Sequence, residues 1–308
     1  MKAIIICGPT GSGKSALAVN LAQRFDGIVV NADSMQVYRE LEILSSRPKE
    51  EDMRSAPHRL YGIMSMHQVC SVGVWRSMAL DIIDACQKAG RLPILCGGTG
   101  MYLRFLLGEL SRIPDIPAVI RSVTRKTLEE IGNKEFKRLL VERDPISGRH
   151  IATGDSQRLA RAWEVLEATG SSIRYWQKKE RKKNLEKEFY SILLVPERRI
   201  LYSLCDRRFL KFIDKGAIDE AKRIKELNLL PGLPAGKALG LSELFRYLNK
   251  EIDLTTAIEL AQRATRRYAK RQMTWFRNQL NEDYLMETQD NDEVQTQLVS
   301  NITQFLEK

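Results

Sequence analysis

The chain has 308 residues, of which 43% are hydrophobic and 29% are charged, and its formal net charge at pH 7 is +10. Such a composition is ordinary for a globular protein of one large domain or two, and the positive charge favours an acidic partner. We expect no membrane-spanning segment, because no apolar run approaches the roughly 20 residues that cross a bilayer.

The cysteines and histidines predict neither disulfides nor a transition-metal site. Five cysteines lie far apart without paired spacing, and no two of the three histidines have the spacing of helical metal ligands. The first residues run directly into a functional motif, so we also expect no cleaved leader. A reducing cytoplasm is the expected compartment.

The first apolar run, Ala3 to Cys7, leads directly into a phosphate-binding motif. The motif consists of Gly8, Pro9, Thr10, Gly11, Ser12, Gly13, Lys14 and Ser15. Its backbone amides can wrap an anion, which would also lie at the N-terminus of the amphipathic helix that follows. The sequence predicts a diphosphate site here, with Lys14 as its cation, Ser15 as a ligand of Mg²⁺ and the Thr10 hydroxyl near the reacting centre.

The next segments predict a parallel sheet. Apolar runs at Gly27 to Asn31 and Leu92 to Cys96 alternate with helical patterns, one of them around Trp75 to Gly90. This strand and helix rhythm is typical of α/β proteins, in which ligands gather at the carboxyl ends of the strands.

Two segments at the predicted strand ends are candidates for chemistry. Asp33 follows the second apolar run, where it could bind Mg²⁺ through water, act as a general base, or simply cap a helix. Gly97 to Gly100 follow the third run. Their glycines let a backbone approach a ligand closely and Thr99 offers a hydroxyl, although a tight strand-to-helix turn explains the glycines equally well.

The remaining chain predicts a helical insertion into this core. Residues 114–190 are charged and helical in pattern, and a strand pattern returns only at Ser191 to Val195. We therefore predict an α/β, P-loop NTPase-like core with a parallel sheet formed by residues 1–113 and 191–308, interrupted by a helical insertion domain. Basic helices end the second part of the core.

Basic residues gather in three segments: Gln157 to Arg161, Lys178 to Lys187, and Arg263 to Arg277. The third segment interleaves charge with two aromatic rings, in the order Arg266, Arg267, Tyr268, Lys270, Arg271 and Trp275. That pattern is typical of nucleic-acid binding, but a solvated helix with both rings in the core explains it equally well. The second segment also contains glutamates and predicts a solvated helical face.

Five segments, in order along nearly the whole chain, resemble the tRNA dimethylallyltransferase (isopentenyltransferase) family. They are Gly8 to Ser15, Asn31 to Tyr38, Gly97 to Leu103, Asp155 to Arg161 and Lys270 to Trp275. The resemblance implies transfer of a dimethylallyl group from dimethylallyl diphosphate to N6 of adenosine 37, just 3′ of the tRNA anticodon, with release of diphosphate. It also implies that the phosphate loop holds a prenyl diphosphate, with Mg²⁺, instead of ATP.

The resemblance assigns roles to individual residues. It makes Asp33 the general base and lets Asp33, Ser34, Met35 and Gln36 contact the target adenosine and its neighbours. The other tRNA-binding residues would be Thr99, Arg121, Gln157, Arg158, Leu159, Ala160, Arg161, Lys237, Gly240, Arg266, Arg267, Lys270 and Arg271. Two residues depart from the family pattern: Leu204 stands where many relatives have arginine, and Leu241 where many have tyrosine. The first departure removes a charge from the diphosphate site.

The implied partners are the anticodon stem-loop of tRNA and dimethylallyl diphosphate, with no membrane, and the chain would act as a monomer. Because N6 is buried by pairing and stacking, the base would have to be extruded into a protein channel. The helical insertion and the basic helix that contains Arg271 would then grip the stem-loop.

Two other functions fit part of the sequence. A small-molecule kinase of the shikimate-kinase type also combines a phosphate loop, a strand-end aspartate and a second glycine-rich turn, but it leaves the basic helical remainder unexplained. A regulatory nucleotide-binding module that holds RNA without chemistry is a third class. The guanine-reading Asn-Lys-x-Asp motif is absent, because Asn133 and Lys134 are followed by Glu135 and Phe136.

Overall fold

The computed structural model describes residues 2–108, 113–178, 188–230, 232–287 and 292–308. The chain divides into an α/β unit, Met1–Leu107 with Leu185–Lys308, and a helical unit, Gly108–Asn184. Each boundary lies a few residues before the predicted one. Most of the predicted basic run Lys178 to Lys187 lies outside the described residues. Along the described parts of the chain, no helix is both long and apolar enough to cross a membrane.

The first part of the α/β unit alternates strands and helices, as the apolar runs predict. Its elements are β1 (Lys2–Cys7), α1 (Lys14–Arg24), β2 (Gly27–Asn31), α2 (Glu50–Ser55), β3 (His58–Arg59), α3 (Val72–Lys88), β4 (Leu92–Gly97) and α4 (Gly100–Leu106). Serine 71 caps α3 by accepting a hydrogen bond from the backbone N–H of Val74 at 3.2 Å, which is the usual way to satisfy a free amide at a helix start.

The second part resumes the sheet and then becomes helical. Its elements are β5 (Glu188–Leu194), α9 (Arg198–Asp214), α10 (Ala217–Glu226), a 3₁₀ helix (Pro234–Lys237), α11 (Leu241–Leu248), α12 (Leu254–Gln279), β6 (Tyr284–Met286) and α13 (Asp292–Glu307). The prediction that the helical insertion reaches residue 190 is wrong, because residues 188–190 begin β5. They do so because β1 offers a partner along its whole length, starting with Lys2 beside Glu188.

The helical unit contains α5 (Ala118–Arg143), α6 (Pro145–His150), α7 (Ser156–Thr169) and α8 (Ile173–Lys178). Helix α5 is interrupted at Gly132, whose φ of 74° is not helical. Phe136 and Leu140 of α5 pack against Leu159 and Ala162 of α7 in a small apolar core. This unit therefore has a core of its own, as expected for an inserted domain.

The sheet has six strands in the order β3-β2-β4-β1-β5-β6, and all of its pairings are parallel. Its central strands are buried over nearly their whole length, because apolar clusters cover both faces of the sheet. Continuous apolar strands are typical of parallel sheets covered in this way. The phosphate motif, Asp33 and the glycines after Cys96 all follow the carboxyl ends of neighbouring strands, as predicted.

A buried carboxylate fixes the segment that follows the Asp33 turn. Glu220 of α10 is 1% exposed, and its carboxylate accepts hydrogen bonds from the backbone N–H groups of Glu42 and Ile43, both at 2.7 Å, and of Leu44 at 2.8 Å. The sequence analysis did not identify this contact. One carboxylate thus provides the acceptor for three consecutive backbone amides.

Replacing this carboxylate is expected to destabilise the fold. Glu220→Ala leaves three backbone amides without their acceptor, so we expect the free energy of unfolding to fall by about 3 kcal/mol. Glu226→Ala, at the exposed end of the same helix, is the matched control. Urea unfolding of both variants measures the difference, and equal stabilities would contradict the structural role of Glu220.

Candidate active site

The phosphate motif forms a tight loop between β1 and α1. Gly8 has a φ of +143°, and a Cβ there would lie 2.6 Å from the carbonyl oxygen of Leu194, so only glycine fits against the neighbouring strand. Gly13 is the N-cap of α1 and carries no side-chain cap. A helix start without a side-chain cap is the kind of place where backbone amides can bind an anion.

Lys14 supplies a half-buried cation to the loop. Its Nζ donates a hydrogen bond to the carbonyl oxygen of Pro9 at 2.6 Å. Burial lowers the pKa of Lys14 below its ordinary value, while the nearby thiol of Cys96 and carboxylate of Asp33 act in the opposite direction. A cation that is poorly solvated in this way gains more than an exposed one when an anion binds beside it.

Asp33 is held at the end of β2 by Asn31, which is fully buried. The Asp33 backbone N–H donates to Asn31 Oδ1 at 2.8 Å. The Asn31 amide donates in turn to the carbonyl oxygens of Asp33 and Leu60, both at 3.0 Å. The oxygen and the nitrogen of this amide therefore both bond to the turn that presents Asp33, and the nitrogen also ties it to the segment that contains Leu60.

The Asp33 carboxylate closes a turn and caps no helix. Its Oδ1 accepts from the backbone N–H of Met35 at 2.9 Å, and the next helix, α2, begins only at Glu50. The turn uses one carboxylate oxygen, so the geometry is compatible with proton transfer or metal binding through the other.

The glycine-rich turn after β4 is bonded to the Asp33 turn. Thr99 Oγ1 accepts from the backbone N–H of Ser34 at 2.9 Å and donates to Ser34 Oγ at 3.2 Å. The Thr99 backbone N–H donates to the carbonyl oxygen of Ala32 at 3.2 Å. The two predicted site segments thus form one hydrogen-bonded unit.

Arg208 of α9 is a site residue that the sequence analysis missed. Its guanidinium donates a hydrogen bond to Thr10 Oγ1 in the phosphate loop. Burial lowers the pKa of Arg208, partly offset by Cys205 and Asp33. The signal was present, because Arg208 follows Leu204 by four residues and therefore lies on the same helix face. Arg208 therefore places a positive charge one helical turn after Leu204, the position where many relatives have arginine.

The donors available to Mg²⁺ fit that ion. Ser15 is exposed at the start of α1, and its hydroxyl and the Asp33 carboxylate are hard oxygen donors beside the loop. Burial raises the pKa of the adjacent Cys96 thiol, which is hydrogen-bonded to Ser15, to about 11, so no thiolate competes at neutral pH. Mg²⁺ typically takes one or two protein oxygens and completes its shell with phosphate oxygens and water.

Several predicted tRNA-binding residues have partners within the α/β unit. Gln36 Nε2 donates to the carbonyl oxygens of Ser45 and Ser46, both at 3.0 Å, and Met35 packs against the core. Lys237 ends the 3₁₀ helix, while Gly240 is the N-cap of α11.

Helix α12 has a basic surface made of the predicted residues. Arg267, Lys270 and Arg271 are exposed, whereas Arg266 forms an ion pair with Asp206 at 2.5 Å. Tyr268 is half-buried, and its pKa is raised first by burial and then by the charge of Asp33, so its hydroxyl is protonated at neutral pH. The guanidinium of Arg271 lies 5.6 Å from the Tyr268 ring centre.

The predicted residues of the helical unit are divided between its surface and its core. Arg158 is exposed beside Asp155, and Arg161 lies 3.5 Å from Glu164. Leu159 is fully buried and Ala160 nearly so, so the side chain of Leu159 offers no surface to a partner. Arg121 lies half-buried on α5.

Taken together, the α/β fold and the loop define a P-loop protein in which the phosphate motif shares a sheet edge with a carboxylate. The family model described as IPP transferase matches residues 36–279, and the model described as isopentenyl transferase matches residues 1–70. The chain belongs to the IPP transferase family. This confirms the resemblance and the fold class expected from the sequence.

Individual relatives agree with the family models. A tRNA dimethylallyltransferase of Paramagnetospirillum magneticum is 49% identical over 278 residues, which cover 90% of this chain and 88% of that protein. The crystal structure of the full-length tRNA isopentenylpyrophosphate transferase of Bacillus halodurans matches with a TM-score of 0.72 and 32% identity, covering 99% of this chain and 97% of that one. A eukaryotic dimethylallyltransferase acting on tRNA shares the fold, with a TM-score of 0.82, 24% identity, and coverage of 99% and 79%.

The Arg208 contact predicts a role in anion binding. Arg208→Ala removes a half-buried cation from the loop, so we expect the affinity for inorganic pyrophosphate to fall by about tenfold or more, as for other charge-assisted hydrogen bonds. Arg207→Ala, which removes the same charge from the exposed face of α9, should leave it nearly unchanged. Isothermal titration calorimetry compares the two, and equal affinities would remove Arg208 from the site.

Proposed function

We propose that this protein transfers the dimethylallyl group of dimethylallyl diphosphate to N6 of adenosine 37 in the anticodon stem-loop of tRNA and releases diphosphate. The observation that carries the proposal is the placement of an anion loop and of Asp33 at one edge of the sheet, in a chain of the IPP transferase family. The names of the relatives given above describe transfer of this kind of group to tRNA.

The phosphate loop would bind the leaving group. As the allylic C–O bond breaks, its electron pair passes to the diphosphate, where negative charge grows. The loop amides, Lys14 and Arg208 would stabilise that charge, and such preorganised groups stabilise a transition state most effectively when they are poorly solvated. Mg²⁺ held by Ser15 would neutralise further diphosphate charge when bound.

Asp33 would serve as the general base. The exocyclic amine of adenine is a weak nucleophile, because its lone pair is delocalised into the ring. As the new bond forms between N6 and the allylic carbon, one N6 proton passes to the Asp33 carboxylate. The buried Asn31 amide and the bond from Met35 N–H keep that carboxylate in one orientation, which favours a productive geometry.

The exposed charges of α12 would bind the RNA backbone. Arg267, Lys270 and Arg271 project from one helix, and contacts of this type position a nucleic acid without reading its sequence. The target base would leave its stack to reach Asp33, where Tyr268 offers a half-buried ring. We further propose that the protein acts in the cytoplasm as a monomer.

No observation favours the kinase alternative over prenyl transfer. It accounts for the phosphate loop and Asp33 but gives no role to the basic face of α12. The decisive experiment incubates the protein with undermodified tRNA and labelled dimethylallyl diphosphate, and the expected result is label on a single adenosine. Turnover of ATP without labelled tRNA would support the kinase and overturn prenyl transfer.

Removing the proposed base should stop transfer without affecting RNA binding. Asp33→Asn keeps the size of the side chain but cannot accept the N6 proton, so we expect the single-turnover rate to fall at least about 100-fold. Affinity for tRNA, measured by filter binding, should stay close to that of the wild type. Asp81→Asn, on the exposed face of α3, is the control. A normal rate for Asp33→Asn would rule out the base role.

The charge on α12 predicts a salt-dependent effect. Arg271→Ala should weaken tRNA binding and reduce the slope of log affinity against log salt by about one, as expected when one phosphate contact is lost. Arg24→Ala changes the net charge equally from an exposed position at the end of α1 and should leave the slope unchanged. If the two variants have the same slope, Arg271 does not contact the RNA backbone.

A further inference from the structure

One side chain of α12 joins the phosphate loop to the glycine-rich turn. Gln272 is 7% exposed, and its Oε1 accepts a hydrogen bond from the backbone N–H of Thr10 at 2.8 Å. Its Nε2 donates to the carbonyl oxygen of Gly98 at 2.9 Å. These partners lie 262 and 174 residues away in the chain, so a single amide connects three distant segments.

The chemistry of the two bonds requires an amide. One partner is a backbone donor and the other is a backbone acceptor, and a glutamine side chain offers an acceptor and a donor on one planar group. A methionine of similar size offers neither. A glutamate can accept from Thr10 N–H, but when ionised it cannot donate to the Gly98 carbonyl.

Close packing shows that α12 is seated directly on the glycine-rich turn. A Cβ at Gly98 would lie 2.5 Å from Gln272 Nε2, and one at Gly100 would overlap the ring of Trp275. The sequence left the reason for these glycines open between ligand approach and a tight turn. The structure supplies another reason, which is the space that Gln272 and Trp275 occupy.

The same helix carries the basic surface on its other side. Lys270 and Arg271 are exposed immediately before Gln272, and successive helix residues point about 100° apart. The Gln272 amide therefore ties the helix that carries these charges to the phosphate loop and to the glycine-rich turn. Movement of α12 would therefore have to strain or break the bonds to Thr10 and Gly98.

We propose that Gln272 is a positioning residue that fixes the phosphate loop relative to α12, and with it the prenyl diphosphate relative to the RNA. This inference rests on the proposed function for the identity of the two substrates. In this proposal Gln272 acts through the Thr10 amide and the Gly98 carbonyl. Transfer between two bound substrates needs the reacting atoms within a narrow range of distance, so small displacements of the loop slow the reaction.

The test uses one substitution at two positions of the same helix. Gln272→Met removes both bonds but keeps the volume of the side chain. Gln262→Met is the control, because Gln262 also lies on α12 and donates one hydrogen bond to the backbone carbonyl of Asp206 at 3.1 Å, away from the loops. Both full-length variants are compared with the wild type in melting temperature, stem-loop RNA affinity, pyrophosphate affinity and single-turnover rate.

For Gln272→Met we expect a rate at least about tenfold lower and weaker pyrophosphate binding, because a misplaced loop loses alignment as well as affinity. RNA affinity should stay within about twofold, since the exposed charges of α12 are intact. Gln262→Met should match the wild type in rate and pyrophosphate affinity. A change in melting temperature alone, with normal rate and pyrophosphate affinity, would overturn the positioning role.

Gln272→Glu gives a second test that does not depend on the methionine variant folding. It keeps the acceptor for Thr10 N–H, loses the donor to Gly98 and adds negative charge near the anion site. We expect pyrophosphate affinity below that of the wild type, and wild-type affinity and rate would overturn the inference. If the wild type transfers no label to tRNA, the proposed function fails. The pyrophosphate affinities of the variants still test separately whether Gln272 positions the phosphate loop.

Discussion

Parallel pairing of the three central strands is the constraint on which the site depends. Strand β4 lies between β1 and β2, with Cys7 beside Gly97 and Asn31 beside Cys96. This register ends the three strands at nearly the same level, so the turns that follow them begin side by side. A shift of one residue would reverse the orientation of every side chain in a strand and separate the turns from their partners.

Once the turns are adjacent, backbone hydrogen bonds and a few buried amides and hydroxyls hold them together. Asn31 fixes the Asp33 turn, Thr99 bonds to Ser34, and Gln272 bonds to the phosphate loop. Each of these side chains satisfies buried or half-buried backbone groups, and leaving such groups without a partner is costly. The site is therefore rigid for the same reason that the fold around it is stable.

Two half-buried cations give the phosphate loop its electrostatic character. Lys14 and Arg208 both have pKa values lowered by burial, and the charge of Arg208 adds to the lowering at Lys14. Keeping two like charges poorly solvated and close together is unfavourable until an anion binds beside them. Under the proposed function, this pair of charges would favour a dianionic or more highly charged group over a neutral one, and the charge of Asp33 partly offsets the lowering of both pKa values.

The sequence by itself determined the local features of this protein. Glycine spacing predicted the phosphate loop, and apolar runs predicted β1, β2 and β4 with their order of helices. Asp33 was identified because it follows a strand in a fold that collects ligands at strand ends. All of these depend on residues close together in the chain, where backbone conformation and periodicity follow directly from residue type.

Only the tertiary structure decided which distant residues meet at the site. Residues 188–190 join β5 because β1 lies beside them, and Leu159 is buried because α5 packs over α7. Arg208, Glu220 and Gln272 bond to groups far away in the chain. Such contacts depend on the order of strands and the seating of helices, which are set by the packing of the whole core, and no local pattern encodes them.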